Sequence, residues 1–393
     1  MSEHEKYQRL IDHCKSLPPT PTAVAHPCDQ SSLEGALQAA KLGLITPILV
    51  GPRARIEAVA RANDLDVSGY EIVDTPYSHA SAARAVELVL EGRAEALMKG
   101  SLHTDELMAE VVKREGGLRT ARRVSHCFVM DVPSLEQALI ITDAAVNIAP
   151  TLEDKVDILQ NAIDLAKALH VEEVRVAILS AMETVNPKVP STVEAAALCK
   201  MVDRHQITGA LVDGPLALDN AINLEAARIK KIDSPVAGRA NVLMVPDLEA
   251  GNMLAKSLSF LAGADAAGIV LGARVPIILT SRADSLITRL ASCAVAALGA
   301  YARREGAKVS EGGGPAPTEP WPIWCWCSTP ARRASSSRCS TPTATARRCC
   351  CAARSKASTP RRASSPRTPA APRSVPRPGA TACASATTVH STT

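Results

Sequence analysis

Through roughly its first three hundred residues the chain repeats one pattern. A short run of apolar, largely β-branched residues is followed by a longer stretch whose apolar positions recur every three or four. The first kind of run suits a buried strand, and the second gives a helix with one apolar face. Strands are predicted at 22–25, 46–50, 71–73, 96–98, 124–130 and 139–142, then at 175–179, 209–212, 241–245, 268–271 and 276–279. The clearest helix covers 151–170, where Leu152, Val156, Leu159, Ile163, Ala166 and Leu169 share one face. Thr151 stands at its cap, with Asp154 in the capping-box position. Strand–helix alternation implies an α/β class with mainly parallel sheets. Strands such as ITPILV and VRVAIL lack polar alternation, as expected where helices cover both sheet faces. The fold expected is two α/β domains with an interdomain cleft. The first comprises 1–148 with 273–306 and the second 149–272, the chain crossing near Ala149–Pro150 and returning near Pro276.

Past residue 306 the pattern stops. Residues 307–393 carry 13 Lys and Arg against two acidic residues, whereas the preceding body carries 31 against 38. The formal charge of +4 is thus the sum of a basic tail and a mildly acidic body. An acidic body lacks the basic face of a nucleic-acid platform. Its five cysteines (Cys14, Cys28, Cys127, Cys199 and Cys293) are scattered and odd in number, which suits reduced thiols. The start MSEHEKYQRL is too polar for a signal peptide, and no apolar run reaches the roughly 20 residues needed to span a bilayer. A cytoplasmic protein without membrane or nucleic-acid partners is expected.

The tail is made of Arg, Ser, Thr, Pro, Ala and Cys and has too few aliphatic residues for a core, so disorder is expected. Trp321, Trp324, Trp326 and the Arg runs could be read as a nucleic-acid arm, and Cys325, Cys327 and Cys349–Cys351 as a metal cluster. Out-of-frame translation of GC-rich DNA fits better. Shifted back one nucleotide, codons for WPIWCWCSTPARRASS permit a Met-Ala-Asp-Leu-Val-Leu-Val-Leu-Asn-Ala-Gly-Ser-Ser-Ser start. That string resembles the phosphate-binding N-terminus of acetate kinase, and a butyrate kinase start fits less well.

Four polar clusters stand at the carboxyl ends of predicted strands, where α/β proteins place their sites. Lys99-Gly100-Ser101 offers a cation, a close backbone approach and helix-start amides for an anion; alternatively it is a solvated lysine beside a turn. Arg122 and Arg123, followed by Ser125 and His126, could grip phosphates, or form a basic loop leading into a strand. Asp213-Gly214-Pro215 and Asp219 read equally as turn and cap. Ser281, Arg282 and Asp284 make a compact hydroxyl–guanidinium–carboxylate group at a helix start, again open to a capping reading. Asp247 and Asn252 share that ambiguity. The body has no dinucleotide fingerprint, no phosphate-loop lysine motif, no nucleophile elbow and no zinc-type Cys/His spacing.

Five strings in order, LMKGSLHTDEL, RVSHCFVMD, DGPLALDNAI, VPDLEAGNMLAKSL and PIILTSRADS, resemble the phosphate acetyl/butyryltransferase family over about 20–304. They look most similar to its butyryltransferase-like branch. The resemblance implies a fold like that of isocitrate dehydrogenase, a homodimer or larger homo-oligomer, and no bound metal or prosthetic group. Coenzyme A thioester and phosphate would be substrates, with functional coupling to an acetate kinase. It places Ser281 and Arg282 at the catalytic centre. Lys99, Gly100, Ser101, Arg122, Arg123, Ser125, His126, Asp213, Gly214, Asp247 and Asn252 would be substrate-binding. Where phosphate acetyltransferases carry an Asp seven residues after the serine, this chain has Thr288, so Asp284 becomes the candidate acid/base. The reaction expected is reversible acetyl transfer between coenzyme A and phosphate, with butyryl transfer as the alternative. More remote are a metal- and nicotinamide-dependent decarboxylating dehydrogenase, with Asp213, Asp219 and Asp247 as its only obvious metal ligands, and a non-catalytic binding protein.

Overall fold

The computed structural model describes residues 5–280 and 284–311. Ser281, Arg282 and the expected tail from 312 onward lie outside the described residues. The strands are β1 (Thr20–Ala25), β2 (Ile45–Gly51), β3 (Glu71–Asp74), β4 (Ala96–Lys99), β5 (Ser125–Asp131), β6 (Leu139–Thr142), β7 (Arg175–Leu179), β8 (Leu211–Leu216), β9 (Val242–Met244), β10 (Asp265–Leu271) and β11 (Ile277–Ile278). The helices are α1 (Glu5–Cys14), α2 (Gln30–Lys41), α3 (Arg53–Ala62), α4 (Ser78–Leu90), α5 (Thr104–Val111), α6 (Leu152–Ala168), α7 (Pro190–Asp203), α8 (Leu218–Ile222), α9 (Leu224–Ile229), α10 (Leu248–Leu261) and α11 (Leu286–Glu311). Every predicted strand is present, with ends displaced by at most four residues. The predicted helix at 151–170 is α6, and its capping box is formed. Thr151 Oγ1 accepts from the Asp154 amide at 3.2 Å, and the Thr151 amide donates to the Asp154 carboxylate at 3.0 Å.

The strands form one sheet in the order β3-β2-β1-β4-β11-β10-β5-β6-β9-β7-β8. It is mainly parallel, as expected: only β11–β10, β10–β5 and β5–β6 pair antiparallel. Two parallel blocks therefore run in opposite directions, and β10 and β5 join them at the centre. The last helix, α11, continues to Glu311.

The pleat sorts the core onto two faces, because successive side chains point opposite ways. Met98, Cys127, Ile269 and Ile278 face one side, where α1, α2, α6 and α11 close a core continuous along the sheet. On the other side the core is split. Leu97, Val270 and Ile277 pack with α4 and α5. Met130, Ile141 and Leu243 pack with α8, α9 and, through Leu254 and Leu258, α10.

Helix α1 is fastened to the central strands by the buried Lys6–Asp131 ion pair at 2.6 Å and by a buried phenol. The Tyr7 hydroxyl lies 2.6 Å from the carbonyl of Val129 and accepts the Ala267 amide at 2.7 Å. Burial pushes this phenol well above its ordinary pKa, so it stays protonated and can donate. Tyr7→Phe removes these buried hydrogen bonds and should cost about 1–3 kcal/mol. Urea unfolding of the variant against the parent measures this.

Candidate active site

The split in the second face leaves a cavity of about 790 Å³ over the middle of the sheet. Its floor follows from register. Leu97 pairs with Ile277 and Met98 with Ile278, so the next residues, Lys99 and Leu279, lie side by side. The Leu279 amide reaches the Gly268 carbonyl at 3.4 Å, and Gly268 pairs with Phe128. A row Lys99–Leu279–Gly268–Phe128 thus crosses the cavity floor, with His126 two residues before Phe128 on the same face of β5.

Lys99 is buried, and its Nζ lies 3.3 Å from the Gly100 carbonyl and 3.4 Å from that of Thr280. The ammonium is thereby held where β4 and β11 end. Gly100 and Ser101 tie the loop to the end of β1. Their amides donate to the carbonyls of Ala25 (2.8 Å) and His26 (2.9 Å). A Cβ on Gly100 would stand 2.4 Å from the Ala25 carbonyl oxygen, which explains glycine at this position.

His126 is 1 % exposed and lines the cavity. Its Nδ1 has no hydrogen-bond partner among the described residues. Its ring meets Phe128 edge to face at 4.3 Å. Burial depresses the imidazole to about 4, against a weaker opposing pull from the Asp143 carboxylate, so it is neutral at physiological pH. Asp143 also fixes the backbone here. It accepts the amides of His126 (3.0 Å), Ala145 and Val146 (both 2.9 Å) and the Asn147 side chain (2.7 Å).

Asp284 and Asn252 also line the cavity, Asn252 holding the Ala144 carbonyl at 3.3 Å. The other predicted residues stand elsewhere. Arg122 and Arg123 dock on the polar stripe of α6. Arg122 pairs with Asp164 at 2.5 Å, and Arg123 pairs with Asp154 at 3.3 Å while its amide donates to Asp157. Ser125 is buried and accepts from Asn161 on the same stripe at 2.9 Å. Asp213 and Gly214 lie on the edge strand β8, the Asp213 carboxylate accepting the Gly214 amide at 2.8 Å. Asp247 caps α10 by accepting the Ala250 amide. Asp219 pairs with Lys230 at 3.1 Å. Among the described residues no three His, Cys, Asp or Glu side chains converge as a metal site, and no helix is long and apolar enough to cross a membrane.

Asp265, Phe128, Phe260 and Arg289, in or behind the cavity wall, are among the residues that were not anticipated. Asp265 opens β10, and its carboxylate lies 3.5 Å from Thr288 Oγ1. Both phenylalanines of the chain, Phe128 and Phe260, line the cavity. Behind the wall, buried Arg289 places a guanidinium nitrogen 3.3 Å from Thr280 Oγ1. Only Arg289 left a signal in the sequence, as a charge within the apolar run of α11.

Residues 78–297 match the family described as Phosphate acetyl/butaryl transferase. The chain belongs to this family. It is 65 % identical over 309 residues to a phosphate acetyltransferase of Rhizobium meliloti, covering 79 % of this chain and 98 % of that protein. It is 40 % identical over 294 residues to a phosphate butyryltransferase of Clostridium acetobutylicum, covering 75 % of this chain and 98 % of that protein. The crystal structure of a branched-chain phosphotransacylase from Enterococcus faecalis V583 superposes with a TM-score of 0.63 at 31 % identity, covering 72 % of this chain and 99 % of that one.

The neutral state of His126 has a measurable consequence. The native imidazole takes a proton only near pH 4, whereas the unfolded one does so below about 6.5. Stability therefore falls as pH drops through that window. Between pH 7 and 5 the parent should lose on the order of 2 kcal/mol more than His126→Gln. Denaturant midpoints of both proteins at the two pH values test this, and equal losses would place the titration elsewhere.

Proposed function

We propose that this chain is a phosphate acetyltransferase, carrying an acetyl group reversibly between coenzyme A and inorganic phosphate. The observation that carries the reading is the 65 % identity to a protein of that name across almost its whole length. The cavity-lining residues, from Lys99 to Thr288, all fall within the family match. The 40 % relative makes butyryl transfer the second reading. The two helix-side cores support a division into two α/β lobes, 1–148 with 273–306 and 149–272, with the cavity as their cleft.

The chemistry asks for little beyond placement and charge. A phosphate oxygen attacks the thioester carbonyl carbon, a tetrahedral oxyanion forms, and the carbon–sulfur bond breaks. The proton that phosphate gives up ends on the departing sulfur, so one proton moves and no covalent enzyme intermediate is needed. Phosphate is held against a thioester by a cation, and Lys99 is a buried one on the cavity wall. Arg282 and Ser281, outside the described residues, are assigned to the oxyanion and phosphate on the strength of the family resemblance. His126, neutral and with a buried ring nitrogen that has no partner among the described residues, lines the cavity without adding charge. Asp284 is assigned the proton transfer, and Asp265 is a second carboxylate in the same cavity. The thiol-bearing cofactor enters as a substrate. Family Asp213, Gly214 and Asp247 positions, with Arg122, Arg123 and Ser125, are assigned to binding the distal parts of coenzyme A or to shaping the lobes that do so.

The decisive assay is thiol release from acetyl-CoA by the full chain, with and without phosphate, repeated with butyryl-CoA. Phosphate-dependent release that is faster with acetyl-CoA is expected, and absence of release from either thioester by folded protein would overturn the reading. Arg282→Ala should lower turnover about 10²-fold or more. Asp284→Asn should lose activity in both directions while still binding coenzyme A. Full activity in Asp284→Asn, with loss in Asp265→Asn, would transfer the proton step to Asp265.

A further inference from the structure

The cavity floor has two chemically different ends. Lys99 stands at one, among the polar groups of Thr280, Asp284 and Ser285. Phe128 stands at the other, and Ala145, Ala255, Ala264 and Ala266 are the small apolar residues that line the cavity with it. Three strand spacings separate the backbones of Lys99 and Phe128, roughly 14 Å at about 4.8 Å each. The two long side chains lean into that span, with Leu279 and Gly268 between them. A small acyl phosphate or thioester fits such a row with its charged end at the cation and its alkyl end at the ring.

Phe128 has little room to move aside. Its ring meets His126 edge to face at 4.3 Å, and its Cε1 would lie 3.5 Å from a Cβ placed on Gly268. Such a Cβ would also stand 2.8 Å from the Leu279 carbonyl and 3.1 Å from His126 Nε2. The Leu279 carbonyl is what requires glycine here, and the ring lies at van der Waals distance over that position. Of the two phenylalanines that line the cavity, Phe260 is largely exposed on α10, whereas Phe128 is part-buried on the floor strand β5.

We propose that Phe128 is a specificity-determining residue, closing the alkyl end of the cavity so that a two-carbon acyl group fits and a four-carbon group does not. This rests on the acyltransfer reading of the same cavity. Shortening the side chain opens space among the alanines for additional methylenes, each of which a hydrophobic pocket discriminates by roughly 10-fold or more. Because His126 leans on the same ring, Phe128 also holds that imidazole in place.

The test measures kcat/KM for acetyl-, propionyl- and butyryl-CoA, with phosphate saturating, in the full-length parent, Phe128→Ala and the more conservative Phe128→Leu. The parent should favour acetyl-CoA. The butyryl-to-acetyl ratio should rise about 10-fold or more in Phe128→Ala, and by a smaller factor in Phe128→Leu. A structural role alone would lower all three values together and leave the ratio where it was. An unchanged ratio in either folded variant overturns the inference, as does a parent that uses butyryl-CoA as well as acetyl-CoA. A parent that releases no thiol from any of the thioesters defeats the acyltransfer reading itself, whereas an active parent with an unmoved ratio defeats only the role of Phe128.

Discussion

The β10–β5 ladder is the element on which the rest of the structure depends. Seven residues of each strand pair antiparallel at the centre of the sheet, from Asp265 opposite Asp131 to Leu271 opposite Ser125. This pairing joins two parallel blocks that run in opposite directions. Each block carries its own helices on one face, α4 and α5 over the first and α8 to α10 over the second. Over the ladder itself neither set closes, and the cavity is the space that remains. The opposite face has no such gap, because α11 and its neighbours run along it and bury Cys127 and Ile269 completely. The site is floored by strands and walled by α10 and by loops at the strand ends.

The polar groups of the site are placed by backbone contacts more than by one another. Lys99 leans on two carbonyls at strand ends, and the Gly100–Ser101 amides tie its loop to the end of β1. His126 is placed through its amide, which Asp143 accepts together with those of Ala145 and Val146. One buried carboxylate thus organises both the start of β5 and the loop after β6, which is how His126 and Ala145 reach the same cavity. The ring itself is left uncharged and incompletely hydrogen-bonded. A buried imidazole in that state is costly in a purely structural setting and useful beside a polar substrate.

All eleven described strands were legible along the chain, because apolar runs report local burial directly. The capping box of α6 was legible too, since Thr151 and Asp154 are three residues apart and need nothing distant. The site was legible only in part. Lys99, His126, Asn252 and Asp284 were found because polar residues at strand and helix boundaries stand out against apolar runs. Arg122 and Arg123 have the same appearance in sequence, yet they meet an acidic stripe made by Asp154, Asp157 and Asp164 on a helix thirty residues later. Nothing local shows that these arginines meet carboxylates of α6.

What the sequence by itself determined is the α/β class, the positions of the strands, the change of character after 306 and, through its ordered motifs, the family. Those properties follow from residue spacing and short-range chemistry. Only the tertiary structure decided the strand order, the reversal between the two parallel blocks, and the assembly of Lys99, Phe128, Asp265 and Asp284 around one cavity. These depend on which strands pair and in what register. A one-residue shift in the β10–β5 ladder would turn His126 and Phe128 to the other face of the sheet.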